Sequence, residues 1–205
     1  MVDAASMQAM DERTLAFYAR EAEAYVSRGR DVEPARLTIF LSRLPSAAKI
    51  LELGCGGGQY SALMIAQGFD VTPTDGTAEI AAAATQRLGR PVEVLLFDDI
   101  AWRAEFDGVW ANACLLHVPR RDLPVVLDRV HTALKPGGIF YASFKAGVQE
   151  GRDKFGRYYK YPTTDWLRQA YGNCSWSAID IEKAIGSGYD KKPTDWLHVF
   201  ARKQA

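Results

Sequence analysis

Cysteine is scarce in this chain: Cys55, Cys114 and Cys174 are its three, and no two of them form a C-x-x-C pair. That spacing excludes a disulfide framework and the usual structural-zinc patterns, so no metal site is expected, and the thiols suit a reducing cytoplasm. Long apolar runs are missing too. Nothing approaches the roughly 20 residues that a membrane-spanning helix requires. The N-terminal stretch carries Asp3, Asp11 and Glu12 without an apolar core, which argues against a secretory signal and again for a cytoplasmic protein. Neither sign of charge is in excess: 25 Lys and Arg balance 25 Asp and Glu, with no long block of either. Such a balance argues against nucleic acid or a membrane surface as partner. The sequence carries no signal of oligomeric state.

What is present is enough for one sizeable core: 205 residues, 48% of them hydrophobic. Glycine is concentrated in one place. Ile50-Leu51-Glu52-Leu53 runs into Gly54-Cys55-Gly56-Gly57-Gly58, and an apolar helical pattern resumes at Tyr60. A short strand, a turn almost without side chains and then a helix form a nucleotide-cofactor loop, because bare backbone can approach a ligand and adopt positive φ. The dinucleotide version needs G-x-G-x-x-G. Counted from Gly54 the sixth position is Gln59, and from Gly56 it is Ser61, so neither register fits. This disfavours a nicotinamide-dependent oxidoreductase.

The rest of the chain alternates. The spacing of Leu15, Tyr18, Ala22 and Tyr25 predicts a helix over 11–27, and a second begins at Pro34 and stops before Pro45. Strands are predicted over 49–53, 69–74, 92–97, 108–111 and 139–144. Helices over 60–67, 78–88 and 122–134 separate them, with little or no helix between the third and fourth strands. Lys135-Pro136-Gly137-Gly138 reads as a turn, and two strands over 175–185 and 196–201 read as an edge hairpin. Pro73 is out of place in an interior strand, which suggests that the second strand ends at Val71 or bulges there. Strands alternating with helices imply a mostly parallel sheet with its ligand at the carboxyl ends of the strands.

The pattern hydrophobic-x-E-L-G-C-G-G-G resembles the first motif of class I S-adenosylmethionine-dependent methyltransferases, and the resemblance extends over about residues 35–144. It implies an α/β fold: a Rossmann-like, doubly wound, mostly parallel sheet of seven strands with a C-terminal antiparallel edge hairpin. Residues 1–205 would form a single domain, with an N-terminal helical lid over about 11–44 and a substrate loop over about 145–163. The cofactor implied is S-adenosyl-L-methionine. Gly54, Cys55 and Gly56 would cradle its methionine part with Glu52 supporting the turn. Asp75, followed by Gly76, would accept hydrogen bonds from both ribose hydroxyls, since a carboxylate offers two acceptor oxygens to a cis-diol. The adenine would meet Leu96, Phe97 or Asp98, with the acidic position falling on either Leu96 or Asp98. Asn112, Ala113 and Cys114 would pass the sulfonium, and their difference from N-P-P-Y argues against a base N-methyltransferase. Tyr25 and Arg28 of the lid would reach the methionine carboxylate.

A small-molecule acceptor is the expected partner. Lys145, Arg152, Arg157, Tyr158 and Tyr159 lie in the 145–163 segment, too long to be idle in a compact domain and suited to an anion or a flat ring. His117 follows the fourth strand and titrates near working pH when unperturbed, so it is the candidate catalytic base. It reads equally as a substrate-binding residue or as a satisfied helix-start histidine, because a sulfonium methyl is already activated and needs chiefly positioning. The competing reading is a noncatalytic sensor or partner subunit that retains the cofactor site.

Overall fold

The computed structural model describes residues 10–27, 32, 34–187 and 192–205. Arg28 lies outside them. The elements in order are α1 (Glu12–Arg20), α2 (Ala22–Ser27), α3 (Pro34–Ser42), β1 (Lys49–Glu52), α4 (Gln59–Ala66), β2 (Asp70–Asp75), α5 (Ala78–Leu88), β3 (Glu93–Val94), β4 (Phe106–Ala111), α6 (Leu123–Ala133), β5 (Leu134–Lys145), β6 (Glu150–Arg152), β7 (Tyr158–Lys160), α7 (Thr164–Tyr171), β8 (Trp176–Ser187) and β9 (Pro193–Lys203). Among the described residues, seven strands form one sheet in the order β3-β2-β1-β4-β5-β9-β8. β1 to β5 run parallel, and β9 and β8 close the edge antiparallel.

Strand order reverses at β1, which pairs with β2 on one side and β4 on the other. The crevice beyond the carboxyl ends of β1 and β4 is therefore where this topology accepts a ligand. β1 is apolar on both faces because both are covered: Ile50 packs with Phe40, Met64 and Trp110, while Leu51 and Leu53 face α6 and its neighbours. Trp110 of β4 stacks on Tyr141 of β5 at 3.9 Å, which fixes the register of two central strands. Among the described residues no helix is long and apolar enough to cross a membrane.

Several expectations are corrected. The helix expected over 11–27 breaks at Glu21, whose N–H closes a tightened turn on Phe17 and Ala19. The break lets the Tyr18 and Tyr25 rings meet edge to face at 5.2 Å. β2 runs straight through Pro73, paired with Glu52 without a register shift. The Thr74 carbonyl accepts the Cys55 N–H beyond the end of β1, so by alternation the missing N–H of Pro73 falls on the opposite side. There β3 pairs only with Thr74 and Asp75 and leaves nothing to satisfy. The third strand shrinks to two residues, because Phe97–Asp99 turns into a single 3-10 turn that buries Phe97. The Lys135–Gly138 turn becomes a bulge within β5, between the pairs Phe106–Leu134 and Gly108–Ile139. The edge strands extend to Ser187 and resume at Pro193. The expected loop over 145–163 contains a hairpin, β6–β7, closed by Asp153 and Gly156 at φ +82.

Candidate active site

The turn after β1 is shaped by two glycines. Gly54 has φ +62, and a Cβ there would lie 2.5 Å from Cβ of Cys114, so the turns after β1 and β4 touch where only hydrogen fits. Gly56 has φ +56, and a Cβ would meet the Tyr25 ring at 3.2 Å. Below the turn, Glu52 is buried and accepts the Ser61 hydroxyl, while its carbonyl accepts Thr74 Oγ1–H at 2.8 Å. This ties β1, β2 and the first turn of α4 together. Cys55 is buried, and burial, with Glu52 and Asp75 close by, pushes its thiol far above the ordinary range. It is a packing residue, inert as a nucleophile.

Asp75 ends β2 and faces the turn. Its Oδ2 accepts the Gly56 N–H at 3.0 Å and its Oδ1 the Thr77 N–H at 3.0 Å. Burial raises its pKa from 3.8 to about 6, against the lowering effect of those two N–H groups. Each oxygen has a second lone pair, so the carboxylate keeps acceptor capacity for a ligand.

His117 sits in the 3-10 turn Leu115–His117 after β4, buried at 4% exposure. Its Nδ1 is 2.6 Å from the Tyr158 carbonyl and its Nε2 is 3.0 Å from the Tyr18 hydroxyl. A carbonyl only accepts, so Nδ1 carries the proton and Nε2 accepts from Tyr18. Burial lowers the His117 pKa to about 3; the Tyr158 carbonyl opposes this, and Arg157 and Lys145 add to it. The imidazole is thus neutral at physiological pH, its pKa moved well below the unperturbed value of 6.5.

The hairpin β6–β7 is clasped to α1. Arg152 forms a bidentate pair with Asp11 at 2.7 Å, which holds the Asp11 carboxyl down at about 2. Thr14 Oγ1 accepts the Tyr158 N–H at 2.8 Å. Arg157 is 3% exposed, pairs with Asp153 at 2.7 Å, and donates to the Tyr18 hydroxyl at 3.3 Å. Its guanidinium lies within 6 Å of the Phe17, Tyr18, Phe155 and Tyr159 rings. Lys145 Nζ lies 4.4 Å from the centre of the Tyr159 ring, and that ring packs on His117 at 4.6 Å.

These parts surround a cavity of about 50 Å³. Of the residues singled out from the sequence, Tyr25, Gly54, Gly56, Asp75, Gly76, Phe97, Ala113, Cys114 and His117 line it. Glu52 and Cys55 lie behind the turn, and Leu96 and Asp98 flank Phe97 without lining the cavity. Asn112 turns away, its amide oxygen accepting from Ser143 Oγ at 2.7 Å, while Ala113, at φ +55, donates its N–H to the same Ser143 Oγ at 2.8 Å. Lys145, Arg152, Arg157, Tyr158 and Tyr159 form the layer behind His117 and Tyr18 and do not reach the cavity wall. Met10, Thr77 and Ile80 line it without having been singled out, and Tyr18 emerges as a central wall residue. Thr77 follows directly from its place two residues after Asp75; Met10 and Ile80 carry no sequence signal beyond being apolar.

A family described as a methyltransferase domain matches residues 51–142, the span that holds the glycine turn, Asp75 and the end of β4. Over that span the chain matches a methyltransferase domain. A ubiquinone biosynthesis O-methyltransferase of Xylella fastidiosa is 34% identical over 120 residues, covering 55% of this chain and 48% of that protein. A trans-aconitate 2-methyltransferase of Variovorax paradoxus is 35% identical over 113 residues, covering 52% and 42%. The chain spans about half the length of the curated relatives it matches, or less. Among solved structures, a Burkholderia thailandensis 1,6-didemethyltoxoflavin-N1-methyltransferase, bound to 1,6-didemethyltoxoflavin and S-adenosylhomocysteine, superposes with a TM-score of 0.72 at 25% identity, covering 100% of this chain and 98% of that one. The matched span holds the strands β1 and β4 whose carboxyl ends form the crevice.

Proposed function

We propose that this protein transfers a methyl group from S-adenosylmethionine to a small-molecule acceptor in the cytoplasm. The observation that carries the reading is the Asp75 carboxylate, buried with spare acceptor capacity and aimed at a side-chain-poor turn at the point where strand order reverses. The residues fit the cofactor: Gly54 and Gly56 keep the turn open to close backbone approach, and Asp75 suits a cis-diol. Phe97 offers a ring face to the adenine, with Leu96 and Asp98 as its flanks, and Ala113 and Cys114 border the methyl position. The cofactor supplies a methyl group already activated by the sulfonium.

The protein's own share is then positioning and exclusion of water. The cavity is far smaller than the roughly 300 Å³ at which ligand pockets begin, so α1 and α2, which carry Tyr18 and Tyr25, must swing away and re-close around a ligand. In the closed arrangement Nε2 of His117 is the one ring atom able to take a proton, and Tyr18 occupies it. A base with a pKa of about 3 is weak, so the acceptor must itself be a competent nucleophile: an amine, a thiol or an acidic hydroxyl. Incubating the protein with methyl-labelled S-adenosylmethionine and a metabolite extract should move label into a small molecule. Tight binding of S-adenosylhomocysteine with no label transferred would leave the noncatalytic sensor instead.

A further inference from the structure

We propose that Lys160 is a positioning residue for His117: its side-chain nitrogen, bonded to the Leu115 carbonyl, locks the short turn that carries the imidazole. The consequence for rate rests on the methyl-transfer reading above; the consequence for the imidazole does not. Lys160 is 0% exposed, and its Nζ donates to Leu115 O at 3.0 Å. Among the described residues no carboxylate forms a salt bridge with it; the Phe144 ring lies at 5.0 Å and the Trp166 ring at 5.9 Å. Burial drives its pKa far down and Arg120 adds to this, while Glu150 opposes it.

The fold alone gives no reason for an amine here. Leu115 O already accepts the Val118 N–H at 3.1 Å, which closes the turn. Removing the lysine nitrogen leaves no backbone group unpaired, whereas keeping it means desolvating a lysine in an aromatic pocket. What the second bond adds is rigidity in one place. Two residues away on the same strand, the Tyr158 carbonyl holds His117 Nδ1–H. β7 therefore grips the turn at both its first residue and its last, and both grips fix the direction of Nε2, which accepts from Tyr18 at the cavity wall. Tyr159, between them, packs its ring on the imidazole.

The test is Lys160→Met, which keeps the shape and removes the donor. Three readings are taken on the protein without any acceptor: melting temperature, the ring-nitrogen NMR spectrum of His117, and affinity for S-adenosylhomocysteine. Expected are a melting temperature equal to or above that of the wild type, and a His117 that shifts from a single Nδ1–H tautomer to a mixture of both. Cofactor-product affinity should stay within about twofold, and label transfer into the metabolite extract should fall about 10- to 100-fold. A His117 spectrum unchanged from wild type overturns the proposal. So does a variant that melts lower or fails to fold, since Lys160 is then a structural part. A wild-type protein that transfers no label defeats the function and leaves the imidazole readout standing on its own.

Discussion

The two walls of the cavity are built from parts at very different distances along the chain. Gly56 and Asp75 are 19 positions apart and meet through a backbone N–H on a carboxylate. Asp11 and Arg152 are 141 apart, Thr14 and Tyr158 are 144 apart, and Tyr18 and His117 are 99 apart. The near wall forms with the sheet itself, since its groups hang from paired strands and move only if β1 or β2 does. The far wall is held by side chains, whose ordering costs rotamer entropy and whose loss leaves the sheet intact. A wall anchored in the sheet thus faces a wall held by long-range side-chain contacts.

The most severe way to break the near wall is Gly54→Ala. A left-handed backbone with a Cβ pressed 2.5 Å from Cys114 Cβ should cost about 2–5 kcal/mol of stability, measured by urea unfolding. A loss below about 1 kcal/mol would mean that the turn yields easily and the contrast is false.

Acidity probes the same wall almost as strongly. Asp75 binds its proton with a pKa of about 6 when folded and 3.8 as its reference, so the folded state holds more protons between these values. Stability tied to this group is complete below pH 3.8 and is lost as pH rises through 6, by about 3 kcal/mol. Ribose hydroxyls donate to the ionised form. Affinity for S-adenosylhomocysteine should therefore be flat above pH 6 and fall about tenfold per unit below it. Calorimetric titrations from pH 5 to 8 that show no such bend would remove Asp75 from the binding step.

Asp75→Ala should weaken S-adenosylhomocysteine binding by about 2–3 kcal/mol, through lost charge-assisted hydrogen bonds. Isothermal titration reads this directly, and unchanged affinity would falsify the ribose assignment. The smallest effect belongs to the far wall. Arg152→Ala should change global stability by less than about 1 kcal/mol, because the pair with Asp11 is partly exposed. It should nevertheless speed amide exchange across residues 12–20, where the clasp holds α1. The Asp11 carboxyl is held down at about 2, so its contribution persists above pH 3.8 and disappears as pH falls through 2. Exchange rates in α1 that ignore the substitution would show that the hairpin does not hold the helix.

How much of this was legible depends on range. The glycine turn and Asp75 could be read because one strand, one turn and one crossover helix bring them together. The strand expected over 92–97 shortens to Glu93–Val94, since alternation cannot reveal that Phe97 is needed in the core just where the chain must turn. Arg152 and Arg157 looked like substrate-facing charges. Asp153 is a local partner four residues before Arg157, but Asp11 and Tyr18 are chosen by how α1 lies on the hairpin, and no local pattern encodes that. The hairpin itself was hidden because three-residue strands are too short to display a period.

By itself the sequence determined the order of elements, the crevice and the near wall, because backbone propensity and strand alternation act over a few residues. Only the tertiary structure decided that His117 is neutral and held by Tyr18, that Asn112 turns away, and that Lys160 grips the turn from behind. Desolvation and hydrogen-bond partners come from whatever the fold packs against a side chain, and in the far wall those neighbours lie up to 144 residues away.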